Sequence, residues 1–491
     1  MKLGELFRGA PYLRTEAGGE AEITSLAYDS RQVQRGTAFF AIVGEKTDGH
    51  LYVPAVLESG AALVVSEREA PAGMTARWVQ VEKIRRALAV AARNFFGRPD
   101  SQLSMVGVTG TNGKTTTAFL LDSIFRAAGL TTGLFGTIEY RVGNRVVAAL
   151  NTTPESLDLF SYMAEIVRAG GKAVVMEASS HALAQERVWG LHFDGAIFTN
   201  LTRDHLDYHK DFAGYFAAKR RLFEDLGAGP PGVAVINRDD PWGLRLLELK
   251  HGRLITYGFD SGADVRVKQL VYHPYGFRAI LATPGGNFEI ASNLMGRANV
   301  YNALAATAAG LGLNLPIEAI HAGLAQLESV PGRFERISEG QPFLVLVDYA
   351  HTDDALRNVL KTARELTDRR LIVVFGCGGD RDRAKRPLMG EAAGSLSDLA
   401  VVTSDNPRSE DPISIMNDAI VGLQKTSNPY IAEVDREAAI RKALESAREG
   451  DVVVLAGKGH ETYQVLKDRT IQFNEREVAK RILREMGFSR N

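Results

Sequence analysis

Short apolar, β-branched runs recur along this 491-residue chain, and many are followed by stretches whose apolar residues return every third or fourth position. The first pattern predicts strands and the second amphipathic helices, so the chain reads as alternating β and α elements. Early on, Leu26–Arg31 ends a strand in a polar turn and Thr37–Ile42 is a second strand. Gly44–His50 is a polar loop, Val53–Ser59 a helix and Ala62–Val65 a strand. Glu82–Phe96 places Ile84, Leu88, Ala91 and Phe95 on one helical face, and Arg98-Pro99-Asp100 punctuates its end as a domain boundary.

Strands are next predicted near 104–109, 173–177, 195–199 and 233–236, each running into polar residues. Those residues are Asn151–Pro154, Glu177–His181, Asn200–His209 and Asn237–Asp240, and in open α/β sheets ligands bind beyond such strand ends. Gly296–Ala303 opens a further helix, and Pro331-Gly332-Arg333 is a second boundary. Beyond it the pattern restarts. Phe343–Asp348, Leu371–Phe375, Leu399–Thr403 and Val452–Ala456 read as buried parallel strands, with helices near 353–367, 386–396, 413–424 and 436–448. The expected fold is α/β in three domains. These are a small α/β N-terminal domain (1–99), a central P-loop-type mononucleotide-binding domain (100–332) and a C-terminal Rossmann-like doubly wound domain (333–491).

The sharpest chemistry lies in Leu103–Leu120. There the apolar run around Val106 and Val108 gives way to Gly110-Thr111-Asn112-Gly113-Lys114-Thr115-Thr116 and then to a helical pattern. Strand, glycine-rich turn, Lys-Thr and helix is the layout of a phosphate-cradling loop: backbone N–H groups face anionic oxygens, Lys114 adds a charge, and Thr115 reaches a magnesium ion. The strict pattern wants glycine at 108, where this chain has valine; the nearest glycine is Gly107. The bland alternative is a glycine-rich turn with a surface lysine.

Composition narrows the class. Hydrophobic residues are 45% and charged residues 24%, ordinary for a soluble protein with large cores. Lys+Arg 58 against Asp+Glu 59 leaves a net charge of -1, which argues against a general nucleic-acid or membrane-surface binder. Cys377 is the only cysteine, so a reducing compartment fits, and the N-terminal residues lack the apolar centre of a signal peptide. The uncharged run Ala298–Ile317 is long enough to span a bilayer but holds three asparagines, a proline and two glycines, and reads as a buried helix and its turn. A cytoplasmic, monomeric protein acting on small molecules, without nucleic-acid or membrane partners, is expected.

Taken in order, Asp29-Ser30-Arg31, the loop at 110–116, Glu177, Asn200–His209, Asn302, Asp348-Tyr349-Ala350-His351 and Asp405-Asn406-Pro407-Arg408 resemble the Mur ligases over essentially the whole chain. Within that family the resemblance points to members that add meso-2,6-diaminopimelate to UDP-N-acetylmuramoyl-L-alanyl-D-glutamate in peptidoglycan precursor synthesis. It implies an ATP-driven amide ligase working through an acyl phosphate, with ATP as a substrate and Mg²⁺ as cofactor. A carboxylate must be brought up to the γ-phosphate, so cations must offset the repulsion of two anions.

The resemblance assigns residues as follows. Gly110, Thr111, Asn112, Gly113, Lys114, Thr115 and Thr116 would cradle ATP; Asn302 would contact adenine, and Asp348, Tyr349 and His351 would close over the nucleotide. Thr115 and Glu177 would ligate magnesium, oxygen ligands suiting that hard ion. His205 matches the family's ligand to a second ion, and Lys219 the lysine that the family carbamylates, so that Lys114, Glu177, His205 and Lys219 form the catalytic group. Tyr28, Ser30, Glu45, Lys46 and Thr47 match uridine-diphosphate contacts, and Asn151, Thr152, Thr153, Ser179, Gln185 and Arg187 muramoyl-dipeptide contacts. By residue pattern alone Lys219 reads as a solvated lysine on an Ala-rich helix, Asn302 reads equally as a helix cap, and Arg333 as a hinge or a phosphate contact.

Diaminopimelate differs from lysine by one carboxylate. Arg408 offers that carboxylate a fork, Asp405 and Asn406 offer the neighbouring ammonium acceptors, and Pro407 stiffens the turn. Arg381, Gly457 and Glu461 match the family's further partners for this zwitterion. Competing readings are a lysine-adding or D-Ala-D-Ala-adding relative, a folylpolyglutamate synthase, and, outside the ligases, a P-loop NTPase switch. Gly376-Cys377-Gly378-Gly379 is a partial dinucleotide fingerprint, and Cys377 lacks a histidine base in sequence.

Overall fold

The computed structural model describes residues 1–9, 12–15, 22–44, 47–143, 145–224, 226, 228–250, 252–273 and 275–489. Three sheets follow one another along the chain. The first contains β1 (Tyr12–Thr15), β2 (Ser25–Ala27), β3 (Thr37–Phe40), β4 (Leu63–Ser66) and β5 (Trp78–Val81), in the order β1-β5-β4-β3-β2. β2 to β5 pair in parallel and β1 is antiparallel. Helix Ile84–Phe95 buries Ile84, Leu88 and Ala91 beneath this sheet, as its spacing predicts.

The second sheet has eleven strands: β6 (Ser104–Thr109), β7 (Thr132–Phe135), β8 (Glu139–Val142), β9 (Arg145–Ala148), β10 (Ala173–Glu177), β11 (Gly195–Phe198), β12 (Val233–Asn237), β13 (Arg253–Gly258), β14 (Val265–His273), β15 (Gly276–Thr283) and β16 (Gly286–Ser292). Their order is β16-β15-β14-β13-β12-β11-β6-β10-β7-β8-β9. The parallel centre is apolar on both faces because helices cover both. Two antiparallel extensions, β14-β15-β16 and β7-β8-β9, flank it. The uncharged run forms helix Arg297–Gly312, whose alanines from Ala303 onward are buried all round against helix Lys114–Ala127 and strands β12 and β13. Among the described residues no helix is long and apolar enough to cross a membrane.

The third sheet, β17 (Glu335–Ile337), β18 (Leu344–Asp348), β19 (Leu371–Cys377), β20 (Leu399–Ser404), β21 (Tyr430–Ala432) and β22 (Val452–Ala456), runs β17-β18-β22-β19-β20-β21 and is parallel except at β17. A small hairpin, β23 (Tyr463–Val465) with β24 (Thr470–Gln472), follows. Beneath its strand ends Arg436 and Glu475, both 0% exposed, pair at 2.7 Å, and Arg436 also donates to the carbonyls of Ser404 and Ala456. This pair fixes the ends of β20 and β22 from below.

Polar bridges join the three units. Arg85 donates to Glu155 at 2.7 Å and Tyr28 to Asp158 at 2.6 Å, linking the first unit to the second. Asp354 accepts from Thr202 at 2.7 Å, linking the third to the second.

Candidate functional site

β6 delivers the chain into the loop 110–113, and helix Lys114–Ala127 starts from Gly113, whose φ of 85° is the left-handed conformation glycine adopts without cost. A side chain there would also overlap the amide of Asn302. The first intrahelical bond runs from Thr117 N–H to Gly113 O, so the preceding N–H groups face the loop's hollow. Residues beyond β11 hold the loop open: Asn200 Oδ1 accepts from Asn112 N–H at 2.9 Å, and Thr199 Oγ1 donates to Asn112 O at 2.7 Å. Gly107 is not a displaced loop glycine. It sits inside β6, where an added Cβ would press on Phe193 and Leu222.

Lys114 Nζ donates to the carbonyls of Gly110 (3.1 Å) and Thr111 (2.8 Å), and Lys219 Nζ donates to the same Gly110 carbonyl at 2.6 Å. Lys219 is therefore no solvated lysine; it is 1% exposed on helix Phe212–Arg220 and lies 4.4 Å from the Tyr215 ring centre. Burial, reinforced by the Lys114 charge and opposed by Asp204, pushes its pKa well below the usual lysine value.

Glu177 ends β10 directly beside β6 and is 1% exposed, its carboxylate accepting from the N–H (2.8 Å) and hydroxyl (3.2 Å) of Thr137. Thr115 is buried in the first turn of the loop helix, and Arg333 donates to its hydroxyl at 3.4 Å. That contact places Arg333 at the loop's mouth. His205 is in the left-handed region (φ 52°), 3.3 Å from Asp204. Burial, with the charges of His181, Lys114 and Lys219, brings its pKa down to about 4 against the pull of Asp204, although its 43% exposure lets solvent screen part of this.

Thr152, Thr153, Ser179, Gln185 and Arg187 gather around Glu177. Thr153 Oγ1 donates to Glu177 O at 2.7 Å and accepts from Ser179 N–H, Thr152 is 3.2 Å from Thr137, and Arg187 joins Gln185, Thr153 O and Glu155. Asn151 is exposed beside them, its backbone bonded to the Tyr140 hydroxyl. On the first unit, Tyr28 spends its hydroxyl on Asp158, and Ser30 opens a 3₁₀ turn capped by Asp29. Thr47 contacts the Tyr52 hydroxyl at 3.2 Å, while Glu45 and Lys46 lie outside the described residues. A cavity of about 440 Å³ opens between the first two units, lined by Ile42, His50, Arg68, Lys83, Arg85 and Gln185 among others. Its cations escaped the sequence reading because Lys83 and Arg85 read as the polar face of a helix start and Arg68 as a turn residue. A larger hollow, about 520 Å³, lies along β17, where Arg484 pairs with Glu339.

Asn302 lies inside helix Arg297–Gly312 rather than at its start, which removes the cap reading; its amide bonds Asn299 and Thr117 under the loop. Asp348 is buried at the end of β18, accepting from Phe334 and Ala350 N–H, and burial raises its pKa against the opposing Arg333 charge. The Arg333 guanidinium sits 4.8 Å from the Tyr349 ring centre, and His351 Nδ1 is 2.8 Å from Tyr349 O. Asp354, absent from the sequence expectations, also faces Asn112 at 3.4 Å.

In the third unit Asp405, Asn406 and Glu461 converge on Lys458, which is 0% exposed. Lys458 Nζ is 2.7 Å from Asn406 Oδ1, 3.0 Å from Asp405 Oδ1 and 3.2 Å from Glu461 Oε2, and donates to Tyr463 O at 2.9 Å. Asn406 Oδ1 also accepts from Val465 N–H, and its Nδ2 donates to Glu461, so both ends of this amide are engaged within the protein. The acceptor expected of Asn406 is thus already in use, and its part is to orient Glu461. Burial would raise the Asp405 carboxyl, but Lys458 and Arg436 outweigh it and hold its pKa below the ordinary value. Gly457, at φ 117°, brings bare backbone alongside Asp405. Arg408 and Arg381 flank Gly378, and Pro407 O packs against Gly379. Neither guanidinium forms a direct ion pair among the described residues, although both act at longer range on the Asp380 carboxylate; Arg408 donates to Gly379 O at 2.8 Å and Arg381 to Asp380 O at 3.3 Å. Cys377 lies 3.7 Å from the Met389 sulfur, and burial pushes its thiol up to about 12, so it is no nucleophile. No helix begins at Gly376–Gly379, which argues against the dinucleotide reading; the next starts at Lys385.

His460 lies tilted against Tyr349, 4.9 Å between ring centres; burial and Arg333 depress its pKa to about 3. Its unfolded-state pKa is near 6.5, so between about pH 3 and 6.5 the unfolded chain binds the extra proton. This contribution is complete above about pH 6.5 and is lost as pH falls toward 3. Thermal unfolding followed against pH should show that decline, and His460→Gln should flatten it.

Residues 22–96 match the Mur ligase family catalytic domain, 108–310 the Mur ligase middle domain and 332–459 the Mur ligase glutamate ligase domain. The UDP-N-acetylmuramoyl-L-alanyl-D-glutamate--2,6-diaminopimelate ligase of Solibacter usitatus is 56% identical over 490 residues, covering 99% of both chains. The ligase of the same name from Geobacillus thermodenitrificans is 46% identical over 489 residues, covering 99% of this chain and 100% of its own. A solved structure of a ligase of that name, 32% identical, superposes with a TM-score of 0.71 over 100% of both chains. The MurF ligase of Thermotoga maritima, solved with ADP, shares the fold at 20% identity and a TM-score of 0.64, over 95% and 97% of the two chains. On these matches and on the three-unit architecture, the chain belongs to the Mur ligase family.

Proposed function

We propose that this protein is an ATP-dependent ligase that joins meso-2,6-diaminopimelate to UDP-N-acetylmuramoyl-L-alanyl-D-glutamate, a step of peptidoglycan precursor synthesis. Residues 1–99 would hold the UDP-sugar, 100–332 ATP and 333–491 the amino acid. The observation that carries the amine's identity is the third-unit pocket, where acceptors at Asp405 and Glu461 accompany two guanidiniums, Arg381 and Arg408, that form no direct ion pair among the described residues and share only the longer-range charge of Asp380.

The chain's own groups account for the first step. Lys114 and the N–H groups opening its helix draw the triphosphate into the loop, and Arg333 adds a cation from the third unit. A carboxylate oxygen of the dipeptide, positioned by the Thr153–Arg187 group, attacks the γ-phosphorus and ADP leaves, giving an acyl phosphate. The amine of the incoming amino acid then attacks the acyl carbon, loses a proton and releases phosphate. Thr115 and Glu177 fit Mg²⁺, which characteristically takes one or two protein oxygens and completes its shell with phosphates and water; His205 and a carbamate on Lys219 would serve a second ion. When bound, magnesium would offset the charge of the phosphates.

Phosphate release measured with ATP, the UDP-MurNAc-dipeptide and a panel of amino acids tests this reading. Diaminopimelate is expected to exceed lysine in kcat/KM by on the order of 10²-fold or more, because lysine leaves both guanidiniums unanswered. A preference for lysine would overturn it.

A further inference from the structure

We infer that Lys458 sets the charge of the amino-acid pocket and so helps decide between diaminopimelate and lysine, an inference that rests on the pocket reading above. The side chain is fully buried, yet it makes contact with three pocket groups at once: Asp405, Asn406 and Glu461. The Arg436–Glu475 pair beneath is internally balanced. Lys458 against the carboxylates of Asp405 and Glu461 leaves one net negative charge on the ammonium side, and Arg381 and Arg408 against Asp380 leave one net positive charge on the carboxylate side, so the pocket is neutral overall with its signs separated.

That balance matches one ligand better than the other. The distal end of diaminopimelate carries an ammonium and a carboxylate and is neutral overall, whereas the distal end of lysine carries an ammonium alone. Removing the Lys458 charge makes the pocket one unit more negative, which favours the cationic end over the zwitterionic one. Neutralising Glu461 shifts the balance the other way. Lys458 touches its neighbours and not the reacting atoms, so it is a positioning and specificity-determining residue.

Steady-state kcat/KM for diaminopimelate and for lysine, at saturating ATP and UDP-MurNAc-dipeptide, should be compared in the parent, Lys458→Met and Glu461→Gln. Lys458→Met is expected to narrow the diaminopimelate-to-lysine ratio by about tenfold, and Glu461→Gln to widen it, the change a unit charge produces at these distances in a solvent-screened pocket. A lysine that only props up the loop would lower both rates together and leave the ratio unmoved. An unmoved ratio in these variants, or shifts of the same sign, would overturn the inference. Should Lys458→Met not fold, Lys458→Gln, which keeps a donor toward Asn406 and Tyr463 O while losing the charge, decides by the same ratio. A parent enzyme without a diaminopimelate preference would overturn the pocket reading itself; a parent that has it, with ratios unmoved by the variants, overturns only the role of Lys458.

Discussion

Lys219→Ala is expected to lower amide formation by on the order of 10³-fold, and millimolar acetate or formate to restore part of the loss. The lysine is sealed from solvent against Tyr215 and the Gly110 carbonyl, with Lys114 donating to that carbonyl as well. Two ammonium groups crowding one acceptor is an unfavourable arrangement, and burial together with Lys114 moves Lys219 toward its neutral form. A neutral amine is the nucleophile that takes up carbon dioxide: nitrogen bonds to carbon, a proton leaves, and an anionic carbamate replaces the like charge. The alanine variant removes that anion but spares the loop, because Lys114 still holds the Gly110 carbonyl. A small carboxylate diffusing into the vacated space would supply the missing oxygens. Initial rates with and without added carboxylate measure this, and full activity in the unrescued variant would end the idea.

Much of this site was legible because its chemistry sits at strand ends. The strands expected near 104–109, 173–177, 195–199 and 233–236 are β6, β10, β11 and β12, and their polar exits surround the phosphate loop. The antiparallel extension β14-β15-β16 was not legible: Val265–His273 mixes Arg266, Lys268 and Gln269 among its apolar residues, as a strand with one face toward solvent does. Contacts between units were equally hidden. Asp354 reads as an ordinary first-turn acid of a helix, yet it bonds Thr202 and faces Asn112, 242 positions away in sequence. Lys458 reads as the polar middle of a glycine-rich strand end, and only the fold shows that Asp405, Asn406 and Glu461 all turn toward it.

Arg408→Lys is expected to cost on the order of 10²-fold in kcat/KM for diaminopimelate, chiefly through KM, while the KM for ATP stays near the parent value. Charge is conserved in this exchange, so the loss would come from geometry. Arg408 is fixed at φ 52° with its N–H on Val465 O, and one guanidinium nitrogen is committed to Gly379 O at 2.8 Å. That bond leaves the rest of the planar fork to meet a carboxylate with two parallel donors. A lysine ammonium drawn to the same carbonyl would present a single point charge and no paired edge. Nothing in this change touches the acceptors at Asp405 and Glu461, so the weak use of lysine as substrate should fall far less than that of diaminopimelate. Rates for both amino acids, measured side by side, separate the two effects. An Arg408→Lys enzyme with the parent's diaminopimelate KM would mean that the fork plays no part, and that the extra carboxylate is recognised elsewhere.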